Sequence, residues 1–290
     1  MNPRSWWRKL GHGSLLLAAT VYCVFPIYFM LVQSLKTAQE DVFGNPLIVM
    51  NPTLENFEEL FEQHGESRGF IGRTLRRSYP VLDWIENTII VFAGSVAVTL
   101  VASLLAAYAL GRLRPPGFRW WRRIIFASYV IPHTILFVPL YQVVITLHLE
   151  NNLLALLVVY PTLALPFCVW ILSAYFQHLP RSVEESALVE GASRATAFFR
   201  ILLPMSRPVI VAAGIFALGT IASDFTLASV FLLDAHNKTI PAGLATMEVA
   251  LDELLAVAGI NLMAIPVVLI CAVFARGYVR GLTAAMVEGA

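Results

Sequence analysis

The chain has 290 residues, 58% of them hydrophobic and only 13% charged, with a net charge of +1. Such proportions exclude an ordinary soluble domain and a disordered chain, and a near-neutral balance provides no basic field to hold nucleic acid. What remains is a polytopic membrane protein.

An ionised side chain at mid-bilayer costs about 2.5–3.5 kcal/mol even on the lenient insertion scale, so the charges mark where the spans end. A cytoplasmic N-terminus over 1–13 leads into a first span, 14–35. Its uncharged run is longer than a signal-peptide core and no A-x-A cleavage site follows, so it reads as a retained helix. A long loop, 36–86, precedes the second span, 87–111. A basic loop, 112–123, precedes the third, 124–149, and the fourth follows at 151–176. A cytoplasmic loop over 177–207, a fifth span at 208–233, an external loop at 234–253, a sixth span at 254–275 and a tail at 276–290 complete the chain. Six membrane helices in one domain, all-α, are expected. Cys23, Cys168 and Cys271 lie in apolar runs and read as small buried hydrophobes rather than disulfides or metal ligands.

Orientation follows from the arginines and lysines. Of the 20, 14 fall in the N-terminus, the 112–123 and 181–207 loops and the tail, which places both termini in the cytoplasm. The 36–86 loop, with nine acids and five bases, falls outside, although Arg73, Arg76 and Arg77 run against the rule. Within it, Thr53 behind Pro52 starts a short amphipathic helix with Leu54, Phe57, Leu60 and Phe61 on one face. The alternative is a solvated acidic loop.

The stretch Pro180-Arg-Ser-Val-Glu-Glu-Ser-Ala-Leu-Val-Glu-Gly-Ala-Ser-Arg, continuing to Ile201-Leu-Leu-Pro204, carries the most chemistry. Ser182 and Glu185 stand in the S-x-x-E relation of a capping box, Gly191 can stop the helix in the left-handed region, and Ser193 can cap a second helix ending before Pro204. A helical elbow of this kind can fit a groove on a soluble partner, with Ala187, Leu188 and Phe198 supplying the apolar contact.

This loop resembles the signature of the membrane subunits of bacterial ATP-binding-cassette importers: E-A-A, three residues, G, nine residues, I-x-L-P. The matching positions are Glu185, Ser186, Ala187, Gly191, Ile201, Leu203 and Pro204, with Ser186 in place of the usual alanine. The resemblance narrows to the carbohydrate-uptake branch, of the maltose-transporter second-permease type. Thr53-Leu-Glu-Asn-Phe, Asn87-Thr88, Ala106-Ala-Tyr-Ala-Leu-Gly-Arg-Leu-Arg-Pro-Pro-Gly117, Val138-Pro-Leu-Tyr141, Leu165-Pro-Phe-Cys-Val-Trp170 and Arg280-Gly-Leu-Thr283 carry it. It implies the type I importer permease fold in the bacterial inner membrane, with a second permease subunit, two ATPase subunits and an external solute-binding protein as partners. The elbow would then be a coupling helix, with Glu185, Ser186, Ala187, Leu188, Glu190, Gly191, Ala192, Phe198 and Pro204 as its docking residues. Glu190 stands where this branch usually has aspartate, Ala222 and Ser223 where it commonly has tryptophan and asparagine, and Glu288 where relatives often have lysine.

Asp224 is the only formally charged side chain inside an expected span, so a functional role is its default reading. It can meet the hydroxyls of a polar solute, or be protonated or paired within the bundle. His133 reaches a similar depth in the third span, and a His133–Asp224 pairing is one hypothesis. Ser223, Tyr141, Gln142, Tyr160 and Ser173 are further candidates for a polar path. Pro132, Pro139, Pro161 and Pro166 are expected to bend their helices.

No phosphate-binding G-x-x-x-x-G-K-[ST] loop, H-E-x-x-H pair or G-x-S-x-G elbow occurs, so the chain is not expected to be an enzyme. No cofactor or metal is expected on it; ATP and Mg2+ belong to the partner ATPases. The function expected is that of a permease subunit for a sugar or related carbohydrate. The alternatives are a polyol, glycerol phosphate or amino acid permease, an autonomous proton-coupled carrier using Asp224 and His133, or an intramembrane enzyme.

Overall fold

A computed structural model describes residues 3–61, 66–68, 74–76, 79–247 and 249–287. Arg73, Arg77 and Glu288 lie outside the described residues. Two compact units are present: Met1–Val81 with Thr246–Ile265, and Leu82–Ala245 with Pro266–Ala290.

In the first unit, α1 (Pro3–Ser34) carries the expected first span, and its apolar surface from Ser14 to Ile27 is exposed, as a lipid-facing helix requires. Cys23 is on that exposed surface rather than buried. The last carbonyls of a helix have no intrahelical donor and must find one elsewhere. Here the Asn56 amide donates to Ser34 O and Lys36 O, at 2.9 and 2.8 Å, and Thr53 N–H donates to Leu35 O. A short helix, α2 (Ala38–Phe43), is capped by Thr37, and the Glu40 carboxylate gathers the N–H groups of Met50 and Asn51. The expected amphipathic helix is α3 (Glu55–Phe61), but Asn56 and Leu60 form its buried side while Leu54 and Phe61 are exposed. The need to cap α1 turns Asn56 inward and rotates the helix away from the apolar face expected. Two short antiparallel strands, β1 (Glu66–Arg68) and β2 (Thr74–Arg76), pair Glu66 with Arg76 and interrupt the otherwise helical fold.

In the second unit, α4 (Val81–Tyr108) continues through a π-helical turn, Ala109–Leu113. Ser95, Thr99, Ser103, Ala107 and Gly111 recur every four residues and are all buried, a ridge of small side chains that permits close helix packing. At its end, a Cβ on Gly111 would stand 3.0 Å from both Phe176 Cβ and Ser173 O. Arg114 and Gly117, both with positive φ, turn the chain around Pro115 and Pro116 into α5 (Phe118–Tyr129).

The expected third span, 124–149, is not one helix. It is divided between α5 and α6 (His133–Thr146), because Pro132 supplies no N–H and disfavours the helical conformation at Ile131 before it. By contrast α7 (Leu153–His178), started by the Asn152 side chain, runs unbroken through Pro161 and Pro166 and is the most enclosed helix of the unit. Next come α8 (Arg181–Val189), α9 (Arg194–Ala197), a π turn at Phe198–Leu202 and α10 (Leu203–Met205). A bend of 77° at Ser206 leads into α11 (Arg207–Ala222).

The fifth expected span, 208–233, is also discontinuous. After α11 the chain leaves the helix at Ser223–Phe225 and resumes as α12 (Thr226–Phe231), followed by α13 (Ile240–Leu244). The long α14 (Val249–Val287) contains the sixth expected span and carries the helix well beyond residue 275. Among the described residues, four helices are long and apolar enough to cross a membrane, and a fifth if the pair bent at Ser206 counts as one. The core of the second unit is built where α7 meets α11, with Cys168, Leu172 and Phe176 against Val209, Ala213 and Ala217, and the Cys168 thiol donates to Ala213 O.

Candidate functional site: the elbow and the break at Asp224

The elbow begins at Arg181, directly behind Pro180. No side chain caps it, so the Ser182–Glu185 capping box does not form: Ser182 already lies inside the first turn. The other end is as expected. Gly191 has φ +89°, its N–H donates to Leu188 O and the next N–H, of Ala192, donates to Ala187 O. These two bonds make a Schellman closure, which a residue with a Cβ forms only at a conformational cost. Ser193 then caps α9 through Thr196 N–H at 3.1 Å. The second helix does not end before Pro204. The π turn widens the backbone, and Pro204 enters the first turn of α10, where a missing N–H is tolerated.

What holds the elbow is a buried ionic cluster. Arg112 Nε lies 3.2 Å from Glu184 Oε2, with the two side chains 3% and 14% exposed. The Arg112 terminal nitrogens donate to Leu179 O and Pro180 O, and the Tyr108 hydroxyl donates to Glu184 Oε1 at 3.0 Å. One guanidinium therefore joins the end of α4, the end of α7 and the start of α8. Phe198 packs its ring on Tyr108, with centroids 4.7 Å apart, and also on Phe176. The elbow is thus tied by side-chain contacts to the helices beneath it.

Packing also reassigns the apolar residues. Ala187 and Phe198 are turned into the chain and hold the elbow in place, rather than presenting a contact face. The outer surface carries Glu185, Ser186, Glu190 and Gly191, together with Val189 at 89% and Phe199 at 60% exposure. Leu188 and Ala192 are half-buried, and Pro204 is exposed.

The second constellation lies at the break after α11. Asp224 Oδ2 accepts a hydrogen bond from the Tyr160 hydroxyl at 3.0 Å and another from Leu227 N–H at 3.2 Å, in the first turn of α12. The side chain bonded to Asp224 is Tyr160 of α7, and no His133–Asp224 hydrogen bond or ion pair is present among the described residues. Ser223 turns its hydroxyl back to Thr220 O. Tyr141 is half-buried in a stack with Phe137 and Phe231, their ring centroids 6.0–6.5 Å apart, while Gln142 and His133 are exposed on α6. Ser173 is buried and bonded to Trp170 O, which removes it from any open path.

Sequence reasoning missed three structural elements. Glu184 stands beside the motif residue Glu185 with no pattern to single it out, and Arg112 is by sequence only one of five basic residues in a loop. The segment 234–240 has the sequence of a plain external loop. It is stitched to the start of α4: Trp84 Nε1 donates to Ala235 O, the Asn87 amide to His236 O and Lys238 O, and Ile240 N–H to Thr88 Oγ1. On this exposed loop His236 pairs with Asp83 at 2.6 Å, and that hydrogen bond raises the imidazole pKa above its usual value.

These features have counterparts among known proteins. The chain is 30% identical over 280 residues to the sulfoquinovosyl glycerol transport system permease protein SmoH of Agrobacterium fabrum, covering 94% of this chain and 93% of that one. It is 29% identical over 281 residues to the trehalose/maltose transport system permease protein MalG of Thermococcus litoralis, covering 96% and 95%. Its fold matches the crystal structure of a bacterial ABC transporter involved in the import of the acidic polysaccharide alginate. That match has a TM-score of 0.77 at 17% identity and covers 95% of this chain and 98% of that one. The model of the binding-protein-dependent transport system inner membrane component matches residues 99–283, which include α5 to α13 and the elbow. The chain belongs to this family, as a multi-pass permease subunit of an ABC importer.

Proposed function

We propose that this permease imports a sugar or related carbohydrate and couples to a separate ATPase through the 181–204 elbow. The observation that carries the coupling is the elbow's construction. A Schellman closure at Gly191 and the Arg112–Glu184 cluster make it stiff, while Glu185, Ser186, Val189 and Glu190 face outward. A stiff projection transmits a push; a floppy one absorbs it. In this reading two ATPase subunits hold ATP and Mg2+, a second permease subunit completes the pathway, and an external binding protein delivers the solute. Both termini and the elbow face the cytoplasm.

Relatives named for trehalose/maltose, sulfoquinovosyl glycerol and diacetylchitobiose support a carbohydrate substrate. The break at Ser223–Phe225 fits it chemically. Asp224 Oδ1 takes a long contact of 3.5 Å from Leu227 N–H and has a further lone pair for a hydroxyl, and Tyr141 and Gln142 on α6 offer an aromatic ring and an amide to a sugar. His133 and Ser223 complete this proposed path.

The test is purification of the chain from its native membrane in mild detergent, then reconstitution with the proteins recovered in stoichiometric amount. ATPase activity stimulated by a sugar-loaded binding protein is expected. Recovery of the chain alone, transporting on a proton gradient, would overturn the coupling reading. Stimulation only by a non-sugar solute would overturn the substrate class.

A further inference from the structure

The stretch from Asn87 to Leu149 contains five charged residues, all arginine: Arg112, Arg114, Arg119, Arg122 and Arg123. Arg112 is taken by Glu184, and Arg122 is on the half-buried side of α5 with Phe118, Ile125 and Tyr129. Arg119 and Arg123 are different. Four residues apart, they share one exposed side of α5, and among the described residues neither has an ion-pair partner.

Each guanidinium lies within cation–π reach of a ring. Arg123 Cζ stands 5.9 Å from the Trp120 ring centroid, and Arg119 Cζ stands 5.8 Å from that of Phe118. A cation–π contact uses up none of the five N–H donors, which stay available to an oxyanion.

Around this pair the surface changes from wet to apolar along one helix. Trp120 and Trp121 are exposed at 67% and 57%, Ile124 is exposed one turn further, and Val130 and Ile131 follow at the end of α5. Cations and indoles interleaved over the first turn and a half, with exposed aliphatic residues after them, suit a helix passing from the headgroup layer into hydrocarbon. A soluble partner would have to cover an exposed apolar surface continuous with the membrane-buried part of the chain. A phospholipid meets both parts at once.

We propose that Arg119, Arg123 and Trp120 form a binding site for the headgroup of an anionic phospholipid of the cytoplasmic leaflet. The leaflet rests on the orientation proposed above; the site itself does not. Because α5 follows the turn Arg114–Gly117 directly from the π turn that holds Arg112, a lipid bound here grips the same segment that fixes the elbow.

The test uses the full chain, with its co-purifying subunits, in nanodiscs of mixed phosphatidylcholine and phosphatidylglycerol. Retained lipid is counted by native mass spectrometry. A preference for phosphatidylglycerol is expected. It should fall roughly fivefold for each of Arg119→Gln and Arg123→Gln, as for one charge at an anionic surface. Arg194→Gln with Arg200→Gln, an equal loss of charge on the elbow, should leave it unchanged. Equal losses in both pairs would reduce the effect to diffuse charge and overturn the site. So would displacement of the lipid by millimolar inorganic phosphate, or no preference in a well-folded wild-type complex. Nanodiscs have the same lipids in both leaflets, so a wrong orientation leaves the preference intact. That error is detected separately, by the sidedness of labelling at Ser193→Cys in sealed vesicles.

Discussion

Tyr160 and Asp224, 64 positions apart in sequence, are joined by a hydrogen bond of 3.0 Å at the point where the fifth apolar segment leaves the helical conformation. The carboxylate is held from both sides, by the Tyr160 hydroxyl of α7 and by the first turn of α12. An acid that acts on a solute and an acid that props up a helix break differ in what their removal does. Tyr160→Phe removes one support and should cost about 0.5–2 kcal/mol of stability in detergent, with transport retained. Asp224→Ala should lower transport at least tenfold, through KM more than through turnover, if Oδ1 receives a sugar hydroxyl. Equal effects of the two substitutions on transport would assign Asp224 to architecture alone.

The Arg112–Glu184 pair leads to a different experiment. Glu184→Ala leaves a guanidinium at 3% exposure with only two carbonyl partners, and breaking a buried pair typically costs about 3–5 kcal/mol. Arg112→Met with Glu184→Leu removes both charges and should recover most of that stability. Thermal unfolding in detergent reads this part. Coupling should not recover with it, because an apolar pair allows the elbow to shift against α4 and α7. Full recovery of ATP-driven transport in the double variant would show that packing alone transmits the movement.

Much of this was legible in the charge pattern, and the exceptions have physical causes. The segments that became α7 and the apolar part of α14 are bounded by charges and continuous in the structure, so reading from charge to charge located them. Pro132 suggests a bend and is in fact a break. Pro161 lies inside the unbroken α7, where packing around the helix supports a residue that would disturb it in isolation. The break at Asp224 has no proline to announce it; Ser223 and Asp224 instead offer hydrogen bonds that compete with the helix. Gly191 and Ser193 act as their local chemistry suggests, whereas Ser182 has no capping role because the helix starts two residues earlier, with Pro180 at the N-cap position. Arg112 and Glu184 are 72 positions apart, and no local pattern links them.

Gly111 tests how tightly the π turn must approach α7. An added Cβ meets Phe176 Cβ and the Ser173 carbonyl, both at 3.0 Å and both close to the backbone, so neither can swing aside. Gly111→Ala should destabilise by about 1–3 kcal/mol. It should also weaken the elbow's anchorage, seen as faster hydrogen exchange in 181–189. A neutral result would mean that the two segments separate without loss.

His236 makes the loop at 234–240 sensitive to pH. Its pKa is raised, with the hydrogen bond it donates to Asp83 as the leading cause, so the folded form favours the imidazolium. The stabilising contact is fully present below the unfolded value, near 6.5, and is lost as pH rises through the elevated folded value. Protection of the 234–240 amides, taken as exchange relative to the intrinsic base-catalysed rate at each pH, should therefore be greater at pH 5.5 than at pH 9. His236→Asn should abolish the difference without altering the bonds from Trp84 and Asn87. A pH dependence that survives His236→Asn would assign it to another group.

The elbow's glycine separates folding from coupling. At Gly191 nothing stands within 4 Å of where a Cβ would be, so the only internal penalty of a substitution is the left-handed φ of +89°. That penalty is about 1–2 kcal/mol for an ordinary residue and smaller for asparagine, which tolerates the region. Gly191→Asn and Gly191→Asp should thus insert and fold nearly normally. Both should still uncouple ATPase activity from transport if the partner surface approaches the backbone here, and aspartate more severely, beside Glu190. The measurement is ATP hydrolysed per solute imported in proteoliposomes, together with melting temperature. A large rise in the ratio with little change in melting places the fault at the docking surface. A normal ratio in Gly191→Asp would mean that this turn only closes α8 and that the partner binds elsewhere on the elbow.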